Sequence, residues 1–137
     1  TITHVGPIGS GQAAKAVNQV ILAGAYLGVA EGIVLAMKAG LDVEPLVAAL
    51  GGGAAQSWVL ANRSGRMLAN DYPLGFKVSL HRKDLGIALQ LARETGTALP
   101  ISAIVEQLEA GLIGRGHGDD DVSAVARTIR ELSGLDG

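Results

Sequence analysis

The chain has 137 residues, no cysteine and a formal net charge of -2. This length is typical of one domain, and the lack of cysteine excludes disulfides and thiolate metal sites. The nearly balanced charge, together with an aromatic content of only 3%, gives no reason to expect nucleic-acid binding. We therefore expect one domain without a metal or a nucleic-acid partner, and the cysteine-free composition fits a cytoplasmic location.

The first residues predict a short strand. Residues 1–5 are mostly β-branched or apolar, and Gly6 ends the run. Because a single strand cannot form a sheet, we interpret residues 1–9 as the last strand of a preceding domain and a hinge. Residues 10–137 are then interpreted as one helical domain.

A long helix is predicted next, from Ser10 as its N-cap to about Ala39, with Gly40 as its C-terminal cap. Within it, residues 20–37 are apolar except for Glu31, and this length reaches the threshold for a transmembrane span. The charge of Glu31 would be costly in lipid. A buried central helix of a soluble bundle is therefore the favoured interpretation, and no membrane partner is expected.

Five shorter helices are predicted from helical apolar spacing and from the glycine, proline and aspartate residues at their ends. Their predicted spans lie between Asp42 and Gly51, and at about 55–68, 76–94, 100–112 and 122–132. The acidic triplet 119–121 is interpreted as capping the last helix at its positive end rather than as a metal site. The expected fold is an all-α bundle of about six helices around one long central helix.

The start of the long helix carries a polar patch. Lys15, Asn18 and Gln19 are three and four residues apart, so they share a helix face. The nearby glycines, including Gly11, leave room for a ligand or another backbone. A lysine is electrostatically unfavourable near a helix N-terminus, and partial burial makes an ammonium release its proton more readily. Lys15 therefore suits proton transfer and Asn18 suits a hydrogen bond to a substrate, although an ordinary surface lysine is the alternative.

A second candidate is the basic cluster of His81, Arg82 and Lys83. It could contact an anionic cofactor, because Arg and Lys are the usual phosphate partners. A solvated helix face is the alternative. The residues alone place Trp58 and Phe76 in the core rather than in a site.

Three stretches of the sequence resemble one family. Residues 6–18, G-P-I-G-S-G-Q-A-A-K-A-V-N, fit the G-x-x-G-x-G-x-x-x-K-x-x-N motif of the β-hydroxyacid dehydrogenases, typified by 3-hydroxyisobutyrate dehydrogenase. Residues 76–89 resemble a second family signature built around K-D-L, and residues 116–125 resemble the C-terminal segment of the family. The resemblance covers essentially the whole chain. It implies the C-terminal all-α domain of a two-domain oxidoreductase, with a fold similar to that domain of 6-phosphogluconate dehydrogenase and with NAD or NADP held mainly by an N-terminal domain.

The resemblance also implies roles for individual residues. Lys15 would be the catalytic acid and base in the reversible oxidation of a small hydroxy acid to its semialdehyde. Asn18 and Gly11 would bind the substrate, and Lys83 and Phe76 would contact the cofactor. The resemblance does not choose the hydroxy acid, nor does it choose between NAD and NADP.

Further expectations concern the assembled protein. The resemblance implies that Asp84 orients the start of its helix, that the chain forms a homodimer or homotetramer, and that these 137 residues alone are inactive. The segment K-A-V-N-Q lacks the His-Asn pair of 6-phosphogluconate dehydrogenase, which argues against a sugar-phosphate substrate. A non-catalytic dimerisation or interaction module is the alternative function, and Lys15 and Asn18 weigh against it.

Overall fold

The computed structural model describes residues 6–135, so the predicted strand at 1–5 lies outside the described residues. Within that range the chain forms six α-helices and a one-turn 3₁₀ helix, with no strand. The helices are α1 (Ser10–Lys38), α2 (Val43–Leu50), α3 (Trp58–Ala69), α4 (Val78–Thr95), α5 (Pro100–Gly114), the 3₁₀ helix (Val122–Ala124) and α6 (Val125–Leu132). The all-α prediction is confirmed.

Helix α1 is the central element, because it packs against each of the other five α-helices. Its buried side chains include Ala23, Tyr26, Ala30 and Ile33, and small residues among them let neighbouring helices approach closely. By length and composition alone α1 could also cross a membrane, a test that the core helix of a soluble protein passes equally. The prediction of one long helix at the centre of the bundle is confirmed.

The first turns of α1 and α2 differ from the prediction. Gly9, not Ser10, is the N-cap of α1, and its φ of 95° lies in the left-handed region that glycine adopts without strain. The carbonyl of Gly9 accepts the first hydrogen bonds of the helix from the N–H groups of Gln12 and Ala13. Asp42 is the N-cap of α2 as expected, but its side chain makes no capping hydrogen bond.

Helix α3 begins later than predicted. The Oγ of Ser57 accepts a hydrogen bond of 2.9 Å from the Leu60 N–H, which fixes the first turn at Trp58. Trp58 is consequently 55% exposed, with the Arg63 guanidinium 4.6 Å from its ring centre. The expectation that Trp58 lies in the core is therefore wrong, because the next two residues of the turn take the buried face.

The carboxylate of Asp121 joins α3, the loop before α4 and the 3₁₀ helix. It is fully buried and accepts hydrogen bonds from Arg63 Nε (3.1 Å), the Phe76 N–H (2.9 Å), the Ser123 N–H (3.0 Å) and the Ser123 hydroxyl (2.6 Å). Arg66 Nη1 lies 3.6 Å away. Asp121 caps the 3₁₀ helix, whereas α6 begins only at Val125 and has Ala124 as its N-cap without a side-chain capping bond, so the expected cap acts one turn before the last α-helix. Residues 6–135 contain no cluster of three His, Asp or Glu side chains that could hold a metal ion.

Candidate functional site

A cavity lies between the N-terminal half of α1 and the middle of α4. It has a volume of about 200 Å³ and is lined by Gln12, Lys15, Ala16, Gln19, Asp84 and Ile87. A wider groove of about 470 Å³ adjoins it, because three of these residues line both spaces. Of the residues predicted for the site, Lys15 lines the cavity and Lys83 lines the groove, whereas Asn18, Gly11 and Phe76 line neither space.

Lys15 stands at the mouth of the cavity. Its Nζ lies 4.0 Å from Asp84 Oδ1, and its side chain is 68% exposed, whereas that of Asp84 is 17% exposed. An exposed ion pair at this distance contributes little to stability. The partial burial of Lys15 that the sequence predicted is not provided by the described residues.

Gln19 is the buried member of the polar patch. It is 6% exposed, and its Nε2 donates a hydrogen bond of 2.9 Å to Asp84 Oδ2. Since a carboxylate can only accept, this bond fixes which end of the amide faces Asp84. The Oε1 of Gln19 is buried and has no hydrogen-bond partner among the described residues. Asn18 is exposed and does not line the cavity, so the predicted patch is divided between the cavity and solvent.

A buried pair, His81 and Glu109, lies behind Gln19. His81 Nδ1 is 2.5 Å from Glu109 Oε2, and His81 Nε2 is 3.3 Å from the backbone oxygen of Gln19. Both side chains are fully buried. Burial raises the pKa of the Glu109 carboxyl, and the hydrogen bond from His81 opposes that rise. A hydrogen-bonded path thus runs from α5 through α4 to the residue beside the cavity.

The predicted basic cluster is not one surface. His81 lies in the core, and Arg82 Nε donates to Glu106 Oε2 at 2.7 Å. Lys83 is exposed and lines the groove. Consecutive helical residues point about 100° apart, so the three side chains face three directions. Phe76 packs edge-on against His81, with ring centres 5.6 Å apart, and lies against the core as the residues alone predicted.

Asp84 is the site residue that the sequence analysis misplaced. Helix α4 begins at Val78, so Asp84 lies in its second turn and faces α1 instead of orienting the helix start. The sequence carries one local signal for this side of the helix: Ala88 and Leu91, four and seven residues further on, are apolar, and helical spacing puts Asp84 on the same side of α4 as these residues.

Glycines keep the groove open. Gly9 and Gly86 line it, and a Cβ added at either, or at the exposed Gly11, would meet no heavy atom within 4 Å. Lys83 and Glu94 also line the groove. The groove therefore carries one cationic and one anionic side chain along an open, extended space.

The chain is similar to known oxidoreductases over nearly its whole length. Residues 9–129 match a family model described as NAD-binding of NADP-dependent 3-hydroxyisobutyrate dehydrogenase. An uncharacterized oxidoreductase of Shewanella frigidimarina is 43% identical over 94% of this chain and 45% of its own length. The 2-hydroxy-3-oxopropionate reductase of Escherichia coli is 38% identical over 96% of this chain and 45% of its own length.

A solved structure agrees with the fold. The Mycobacterium tuberculosis 3-hydroxyisobutyrate dehydrogenase with L-serine has a TM-score of 0.85 and 33% identity, covering 95% of this chain and 47% of that chain. The chain therefore spans a little under half the length of the relatives that it matches.

Proposed function

The chain belongs to the 3-hydroxyisobutyrate dehydrogenase family, and from this premise we propose that it is the C-terminal helical domain of an NAD(P)-dependent β-hydroxyacid dehydrogenase. The reaction proposed is the reversible oxidation of a small hydroxy acid to its semialdehyde. The relative named 2-hydroxy-3-oxopropionate reductase supports a substrate of this size and kind.

The observation that carries the proposal is the position of Lys15 at the open cavity, 4.0 Å from the Asp84 carboxylate. In the reduction direction Lys15 holds a proton on Nζ and donates it to the substrate carbonyl oxygen, where negative charge develops. In the oxidation direction the same nitrogen accepts the proton from the substrate hydroxyl. General acid–base catalysis of this kind contributes about 10²–10⁴-fold in rate.

We propose that the groove beside the cavity holds part of a nicotinamide dinucleotide; the support is the open space at Gly9 and Gly86 and the cation of Lys83, with Glu94 as the other charged group of the lining. When bound, that cofactor supplies or takes up the hydride. We assign Lys83 to hold it from this domain, with most of the dinucleotide on an N-terminal domain. Phe76 packs against His81 and does not line the groove in the described chain, so its cofactor contact stays a prediction.

Asn18 and Gly11 are proposed to bind the substrate. Both are exposed on α1 within about one turn of Lys15. Their exposure is consistent with a site between two domains, a usual place for small-molecule sites. The second domain would then also shield the Lys15 ammonium from water, because in this domain alone the Lys15 side chain is 68% exposed.

Self-association is proposed as well, as a homodimer or homotetramer. Its support is a set of exposed apolar side chains on α1 and α5: Val17, Ile21, Leu35, Ile101 and Ile104. These exposed side chains are equally compatible with the alternative function, a non-catalytic dimerisation or interaction module. The cytoplasmic location expected from composition stays a prediction.

The test is Lys15→Ala in the full-length protein, assayed by NAD(P)H absorbance with a panel of small semialdehydes. We expect kcat to fall about 10²–10⁴-fold, and Lys15→Arg should not restore it, because a guanidinium gives up its proton too reluctantly. Lys38→Ala, a lysine change at the other end of α1, is the matched control and should leave kcat unchanged.

Two results would contradict the proposal. A folded Lys15→Ala protein with wild-type kcat would show that Lys15 is not the acid and base. Turnover by the 137-residue chain alone would show that no second domain is needed. A full-length wild-type protein inactive with every semialdehyde, yet still self-associating, would favour the interaction module.

A further inference from the structure

The Asp84 carboxylate contacts two residues of α1, one through each of its oxygens. Oδ2 accepts the hydrogen bond of 2.9 Å from Gln19 Nε2, and Oδ1 lies 4.0 Å from Lys15 Nζ. Gln19 and Lys15 are four residues apart on α1, so they approach Asp84 from the same helix face. The buried Gln19 amide therefore fixes the orientation of the Asp84 side chain through one oxygen, while the other oxygen faces the exposed Lys15 ammonium.

Packing alone does not account for Gln19. Its side chain is 6% exposed, and its Oε1 is buried without a hydrogen-bond partner among the residues described. Burying an unpaired acceptor is unfavourable, so an apolar side chain of similar volume would suit this position better if it only filled space. What the amide adds is the hydrogen bond from Nε2 to Asp84.

Gln19 is also held more firmly than the lysine that it serves. Its backbone oxygen lies 3.3 Å from His81 Nε2, and His81 Nδ1 in turn lies 2.5 Å from Glu109 Oε2. Both of these side chains are fully buried. The Lys15 side chain, by contrast, is 68% exposed and has four rotatable side-chain bonds, so it needs an external partner to keep its ammonium on one side of the cavity.

We propose that Gln19 is a positioning residue, which orients the Asp84 carboxylate and through it the Lys15 ammonium toward the cavity. This inference rests on the proposed role of Lys15. Loss of the Gln19 donor lets the Asp84 side chain rotate, and the Lys15 ammonium then spends less time where a carbonyl oxygen would bind. A displacement of about 1 Å at a reacting group can cost up to about 100-fold in rate.

A double-mutant cycle in the full-length enzyme tests the inference. Gln19→Met keeps the length of the side chain and removes the donor. In the wild-type background it should lower kcat roughly 10- to 100-fold, while KM for the semialdehyde changes less than about threefold. In the Lys15→Ala background the same substitution should change kcat less than about twofold, because there is no ammonium left to position. Gln107→Met, the same change at an exposed position of α5, should leave both constants unchanged.

Asp84→Asn provides a second variant in case Gln19→Met does not fold. It preserves shape at a partly exposed position and should show the same loss of kcat and the same absence of effect in the Lys15→Ala background. Equal losses in both backgrounds, or wild-type kcat in either single variant, would overturn the positioning role while leaving the role of Lys15 intact. Wild-type kcat in Lys15→Ala itself would instead overturn the proposed function and, with it, this inference.

Discussion

Replacing Asp121 with asparagine should destabilise the fold strongly, because the buried carboxylate satisfies several donors at once. Oδ2 accepts from Arg63 Nε, the Ser123 N–H and the Ser123 hydroxyl, while Oδ1 accepts from the Phe76 N–H and faces Arg66. An asparagine has one oxygen. In either amide orientation its NH₂ group points at donors that the carboxylate now accepts from, so at least one donor loses its partner.

The magnitude follows from how buried the partners are. Asp121 itself is fully buried, whereas the Arg63 and Arg66 side chains are 15% and 27% exposed. Breaking a fully buried ion pair costs about 3–5 kcal/mol, and partial access of the arginines to water puts this case near the lower end. We therefore expect a loss of about 3 kcal/mol in the free energy of unfolding, which corresponds to about 10 °C in Tm for a domain of this size.

The assay is urea unfolding of the 137-residue chain, followed by circular dichroism at 222 nm. Asp119→Asn is the matched control, because Asp119 is exposed and its only described ion pair joins it to Lys77 at 3.5 Å. That control should shift the free energy of unfolding by less than about 0.5 kcal/mol. If the Asp121 variant lost less than about 1 kcal/mol, or no more than the control, the carboxylate would not be the structural hub that its contacts indicate.

Three further predictions concern pH, packing and assembly. Burial raises the pKa of Glu109 above its ordinary value of 4.5. The contribution of this group to the free energy of unfolding is therefore fully present below about pH 4.5 and is lost as the pH rises through the folded pKa. The loss is at most about 1.4 kcal/mol per pH unit. Urea unfolding between pH 5 and 8 should therefore show a steeper fall for the wild type than for Glu109→Gln, and parallel curves would contradict it. In Gly75→Ala the added Cβ would lie 2.5 Å from Asp121 Oδ1, and we expect the free energy of unfolding to fall by about 1–3 kcal/mol. The control is Gly65→Ala, on the open face of α3, which should stabilise the fold slightly. An unchanged stability in Gly75→Ala would refute the close contact. Sedimentation of the wild-type chain should show an oligomer. Ile21→Asp, a change at an exposed apolar position of α1, should weaken that oligomer. A wild-type monomer at high concentration would count against self-association.

Local features of the sequence determined where the helices of this protein form. Apolar spacing and the glycines and prolines at the breaks predicted all six helices in their observed order, and α5 begins at Pro100 as expected. The spacing of Lys15 and Gln19 likewise put them on one face of α1, where both line the cavity. These features depend on residues within a few positions of one another, because helical periodicity and capping are local properties.

Contacts between distant parts of the chain were decided only by the tertiary structure. Gln19 meets Asp84 across 65 positions, and His81 meets Glu109 across 28. Helical periodicity shows which side of a helix is apolar, but it carries no information about which other helix covers that side or at what height. That is why His81 was expected in a surface cluster and lies in the core, and why the partner of Lys15 could be identified only once α1 and α4 were seen packed together.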